Sequence, residues 1–111
     1  MNPAPAIAIA VYEAEPIPGP DGIVEWWGPP ISDDDAVARL QAGEDIVVRG
    51  TDRRANRNKA RQLMVAAYGG FEEDEPHQGR MALPHFHPPN HSPDGVHAFF
   101  DTPRRYAKKR K

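Results

Sequence analysis

The chain contains no cysteine, which excludes disulfides, thiolate metal ligands and cysteine nucleophiles at once. It also lacks a long hydrophobic run. The apolar stretch at residues 4–11 is short, has no positive charge before it, and is followed by Glu13 and Glu15. It therefore reads neither as a membrane span nor as a secretory signal. Synthesis in the cytoplasm is the expectation, any export using a route without a signal peptide. Basic residues are scarce in the first half: residues 1–48 hold nine acidic side chains and one basic, Arg39, whereas 49–111 hold thirteen basic and seven acidic. The positive charge gathers at 49–61 and 104–111. That distribution suits contact with a phosphate backbone, and equally a solvated face or terminus.

What is present fits one small domain. At 111 residues, 39% hydrophobic and with 13 prolines, the chain is long enough for a single core joined by irregular connections. Residues 1–5 read as a frayed terminus and 6–12 as a strand. A turn built on Pro16, Pro18, Gly19, Pro20 and Gly22 leads to a second strand at 23–27, ended by Gly28, Pro29 and Pro30. The first thirty residues are thus expected to form a β-hairpin with Trp26 and Trp27 on opposite faces.

Ser32 followed by Asp33, Asp34 and Asp35 opens a helix: a hydroxyl cap, then acidic groups at the positive end of the dipole. Ala36, Val37 and Leu40 give it an apolar stripe, and Gly43 stops it. The β-branched run Ile46, Val47 and Val48 predicts a buried strand over 45–49. A second helix is predicted over 52–68, capped by Asp52 and stopped by Gly69 and Gly70. At about 100° per residue, Asn56, Ala60, Leu63, Met64 and Ala67 fall on its core-facing stripe, while Arg53, Arg57 and Arg61 form a ridge beside it, with Arg54 close by. Residues 71–80, containing Glu72, Glu73, Asp74 and Glu75, read as an exposed acidic loop. The expected fold is a single α+β domain over 1–103, two main helices packed on a mainly antiparallel sheet, with 104–111 as a flexible basic tail.

Residues 81–101, MALPHFHPPNHSPDGVHAFFD, hold four of the five histidines, His85, His87, His91 and His97, between two short apolar runs. On an extended strand Leu83, His85 and His87 point one way and Phe86 the other; in the second run His97, Phe99 and Asp101 alternate with Val96, Ala98 and Phe100. The intervening Pro, Asn, Ser and Gly residues suit a loop that returns the chain antiparallel. In a suitable register His85, His87 and His97 would then share one sheet face. His77, beside Pro76, reads as loop surface.

Three functions are compatible with this set. Cleavage of RNA through its 2′-hydroxyl needs a base, an acid and a cation: His85 and His97 as the acid/base pair, His87 as the alternative member, and Arg53 or Arg57 on the phosphate. Arg61, Arg104 and Tyr106 would add contacts to the RNA. A zinc site is the second reading, with His85, His87 and His97 as ligands, His91 as an alternative third, and Asp101 as an oxygen ligand or orienting partner. The third is a non-enzymatic module for nucleic acid or protein, in which the basic helix and tail supply affinity.

The succession GEDIVVRG (43–50), DRRANRNKARQ (52–62), ALPHFH (82–87) and GVHAFF (95–100) resembles the small C-terminal toxin domains of bacterial polymorphic toxin systems, many of which are compact ribonucleases of the barnase and colicin type. The resemblance covers roughly residues 33–102. It implies a metal-independent endoribonuclease, RNA as substrate, no cofactor, and a cognate immunity protein as partner.

Overall fold

A computed structural model describes residues 8–74, 79 and 81–111. Residues 1–7 and His77 lie outside the described residues, with the expectations placed on them. The elements run β1 (Ala10–Pro16), β2 (Val24–Ile31), α1 (Asp33–Gln41), β3 (Ile46–Arg49), α2 (Arg53–Tyr68), β4 (Glu72–Asp74), β5 (His85–His87), a 3-10 turn (Pro89–His91), β6 (Ala98–Phe100) and β7 (Lys108–Lys109).

Both helices form where their sequence signals lie. Ser32 Oγ accepts from the Asp35 N–H at 3.1 Å and Asp52 Oδ1 from the Ala55 N–H at 3.1 Å, each satisfying a donor that the first helical turn leaves open. Gly69 closes α2 at φ 78°, a left-handed conformation natural to glycine. The stripe of α2 is buried at Asn56, Ala60, Leu63 and Met64. The acidic triplet of α1 serves the helix, and Asp33 also reaches Lys59 of α2 at 2.9 Å.

Among the described residues the strands form one sheet of seven in the order β4-β5-β6-β3-β1-β2-β7. The α+β class holds, but the sheet is mixed rather than mainly antiparallel, because β3 runs parallel to β6 and β2 parallel to β7. Both parallel partners are distant in sequence. The predicted hairpin exists with displaced bounds: β1 starts at Ala10, and β2 continues through Gly28, Pro29 and Pro30 to Ile31. Proline has no N–H to give a ladder. These prolines are tolerated because β7 pairs only with Glu25 and Trp26, and because the β1–β2 register shifts between Val11 and Glu13.

One sheet face carries the helices over a core of Leu40, Ile46, Val48, Leu63, Met64, Phe86 and Phe100, among others. The opposite face holds a smaller cluster, Ala14, Val24, Val47, Leu83, Phe99 and Ala107, with Tyr12 and Trp26 against it. Ala107 belongs to the segment expected as a flexible tail; there Lys108 and Lys109 form β7, and the Arg110 N–H donates to the Trp26 carbonyl at 2.8 Å.

The acidic segment is the clearest departure from expectation. Glu72, Glu73 and Asp74 are an edge strand rather than a loop, pairing antiparallel with His87, Phe86 and His85 respectively. Residues facing each other across a strand pair share a side of the sheet. Glu72 and Asp74 therefore join the histidines, and Glu73 joins Phe86 on the helix side.

Candidate functional site

Strands β5 and β6 pair antiparallel with His85 opposite Phe99 and Phe86 opposite Ala98. This register buries Phe86 under α2 and turns His85 and His87 to the other face, where His97 meets them from the residue before β6. Each of the three offers a ring nitrogen, and the three atoms lie within 4.8 Å of one another. His85 and His87 are buried and His97 is partly exposed.

Oxygen atoms behind these rings fix how they sit. His85 Nδ1 lies 2.9 Å from the Leu83 carbonyl, which can only accept, so Nδ1 carries the hydrogen and Nε2 the lone pair. His97 Nδ1 lies 3.1 Å from Asp45 Oδ1, and the same oxygen accepts from the His97 backbone N–H at 2.7 Å. The parallel register explains this contact: Ile46 stands opposite Ala98, which brings Asp45 level with His97.

A second group adjoins the first. Asp74 Oδ2 lies 3.0 Å from His87 Nε2 and 3.0 Å from His91 Nε2, while Glu72 Oε2 lies 2.8 Å from His91 Nδ1. His91 is turned onto these carboxylates by two successive non-glycine residues in the left-handed region, Asn90 at φ 58° and His91 at φ 54°. Such conformations cost on the order of 1 kcal/mol or more each and persist where surrounding structure enforces them. His87 is different from its neighbours. It is buried, and among the described residues neither of its ring nitrogens has a well-formed hydrogen bond, the approaches of Asp74 and of the Val96 carbonyl included.

The charge states follow from these contacts. Burial pushes the His87 imidazole below its ordinary pKa, with His97 and His91 acting in the same direction and Asp74 and the Val96 carbonyl opposing. The Asp74 carboxylate holds His91 above the ordinary value, helped by Glu72, and His91 in turn keeps the Asp74 carboxyl below the usual range. Neutral His87 and ionised Asp74 are the forms that ligate metals.

The remaining expected site residues do not gather here. Arg57 makes two hydrogen bonds to Glu73, at 2.8 and 2.7 Å, and lies over the Phe86 ring on the helix side of the sheet, across from the histidines. Arg53 is exposed in the first turn of α2, and Arg61 lines a surface hollow with Lys59 and Val65. Arg104 is exposed, and Tyr106 lies beneath Lys108 at 4.2 Å. Asp101, expected beside the histidines, is bound elsewhere: it accepts from Arg49 Nε at 2.8 Å and from the Ala107 N–H at 2.9 Å.

Asp45, Glu72 and Asp74 were not among the expected site residues. Their positions depend on strand pairing, and no local spacing in the sequence announces it. No family model, curated protein or solved structure matches the chain.

Proposed function

We propose that the chain is a metal-dependent hydrolase whose divalent ion, of the zinc type, is held by His85, His87 and His97. The observation that carries this reading is the convergence of three ring nitrogens within 4.8 Å on one sheet face. Zinc–nitrogen bonds of about 2.0–2.1 Å in a tetrahedron separate the nitrogens by about 3.3 Å, within reach of small side-chain rotations. Three protein ligands with a fourth position left for substrate or water is the pattern of catalytic zinc. An ion there would supply Lewis-acid polarisation and a water acidified to a pKa of about 7.

The chain's own residues divide the remaining work. The Leu83 carbonyl and Asp45 hold the His85 and His97 rings with one nitrogen forward, as orienting oxygens do behind metal-bound histidines. An acid/base ribonuclease pair is less well supported, because His85 is fully buried and Arg57 lies across the sheet. RNA remains the first substrate to assay, on the strength of the toxin-domain resemblance.

The test strips the purified protein with EDTA and incubates it with total RNA and with plasmid DNA, before and after zinc is restored. Stoichiometric zinc in the protein as purified, cleavage lost on stripping, and recovery with zinc are expected. Cleavage that continues unchanged through chelation would overturn the metal reading in favour of His85 and His97 as acid and base. A further expectation concerns Asp45. Its replacement by alanine should weaken zinc binding about 10–100-fold, as removal of an orienting partner does, with Asp45→Asn losing less because an amide oxygen still accepts. Equal affinity in wild type and Asp45→Ala, measured by competition with a chelating dye, would show that Asp45 does not orient a zinc-bound His97.

A further inference from the structure

Asp74, His87 and His91 lie outside the three-histidine set except for the ring they share with it. Asp74 Oδ2 is 3.0 Å from a ring nitrogen of each histidine, and the three donor atoms fall within 4.8 Å. Tetrahedral zinc with bonds of about 2.0–2.2 Å places its donors about 3.3–3.5 Å apart. The two short edges need to open by only a few tenths of an ångström. Two imidazoles and one carboxylate form a donor set found in catalytic zinc sites and in ferrous sites with open positions.

How each ring is backed carries the argument further. A metal-bound histidine usually has an oxygen at its other nitrogen. His85 has the Leu83 carbonyl and His97 has Asp45, while His91 has Glu72 Oε2 2.8 Å from Nδ1 as an ionic contact. His87 differs: it is 4% exposed, and among the described residues neither of its nitrogens has a well-formed hydrogen bond, although Asp74 Oδ2 and the Val96 carbonyl lie near the ring. Buried ring nitrogens are normally satisfied. A ring flanked by an ion on each side satisfies both.

We propose that Asp74, His87 and His91 form a second divalent-cation site, so that the cluster is a two-ion centre joined through the His87 ring. The two-ion arrangement rests on the three-histidine reading above; the second site does not. Each ion takes one lone pair of the His87 ring; as the second ion binds, that ring's remaining N–H proton and the His91 Nε2 proton that faces Asp74 both pass to solvent. Glu72 orients His91 from behind. Two neighbouring cations would suit a phosphodiester substrate, whose attacking and leaving oxygens can each be neutralised.

The experiment is a zinc chloride titration of EDTA-stripped protein, with bound ions counted by native mass spectrometry and affinities measured by calorimetry. Wild type should bind two ions. Asp74→Asn and His91→Gln, both at partly exposed positions, should each bind one, and His97→Gln should also bind one. Circular dichroism of every variant establishes that it is folded. A wild type that binds one ion, unaffected by His91→Gln and lost in His97→Gln, overturns the second site and leaves the three-histidine centre standing. One ion lost in His91→Gln and in Asp74→Asn but retained in His97→Gln supports the second site and overturns the first. Two ions that both persist in His91→Gln, or no binding in wild type, overturn the proposal.

Discussion

Replacing Phe86 with alanine is expected to destabilise the fold by about 3–5 kcal/mol, the range for truncating a buried aromatic side chain. The ring is fully buried, edge-on to Phe71 at 5.3 Å and stacked near Phe100 at 5.7 Å, with the Arg57 guanidinium over it at 5.5 Å. Against a total stability of about 5–15 kcal/mol for a domain of ordinary kind, this is a large fraction. The melting temperature should fall by roughly 15–30 °C. Phe86 also anchors β5 from behind, between His85 and His87. If the proposed zinc centre exists, its affinity should drop in the same variant at a temperature where it is still folded, although Phe86 faces away from the histidines. Phe86→Leu should lose less of both. A melting temperature within a few degrees of wild type for Phe86→Ala would show that β5 is held by something else.

Asp101→Ala carries the second large effect, about 3 kcal/mol. Removing one partner of a buried ion pair leaves the other uncompensated, at about 3–5 kcal/mol. The lower end applies because Arg49 is 23% exposed and also lies over the Trp26 ring at 4.8 Å. The Ala107 N–H, buried with Ala107 itself, would lose its acceptor as well. Asp101→Asn keeps that acceptor and should lose less. The two variants separate further with pH. Burial raises the Asp101 carboxyl above its ordinary value, with the Ala107 N–H and Arg49 opposing. A raised folded-state pKa means a contribution fully present below about pH 3.9 and lost as pH rises through the folded value. The margin of wild type over Asp101→Asn should thus narrow as pH rises through the acid range, measured by urea unfolding. A margin that widens over that range would contradict the assigned direction.

Periodic, locally capped segments were legible from sequence. The α2 stripe of Asn56, Ala60, Leu63 and Met64 follows from helical spacing, and the caps at Ser32 and Asp52 from their own chemistry. Opposite faces for Phe86 and its flanking histidines followed from the two-residue period of a strand. Pairing did not follow, because partners distant in sequence leave no local trace. Glu72, Glu73 and Asp74 have poor strand propensity, and become a strand only because β5 offers an edge. The ridge of arginines was visible, but its use was not: Glu73 engages Arg57 from an element unrecognised in the sequence. The start of β1 was displaced because the apolar alternation before Ala10 resembles that after it.

Among the described residues the sheet ends at β4 and β7, three and two residues long, one bearing Glu72, Glu73 and Asp74 and the other Lys108 and Lys109. An open edge is where a sheet recruits a foreign strand, and natural proteins blunt such edges by shortness and by charge. Both devices are present at both edges, with opposite sign. An incoming strand finds little ladder to extend at either side and a row of like charges that selects against acidic segments at one and basic segments at the other. Aggregation through the sheet is thereby resisted in a chain whose central strands β3 and β6 are among its most apolar.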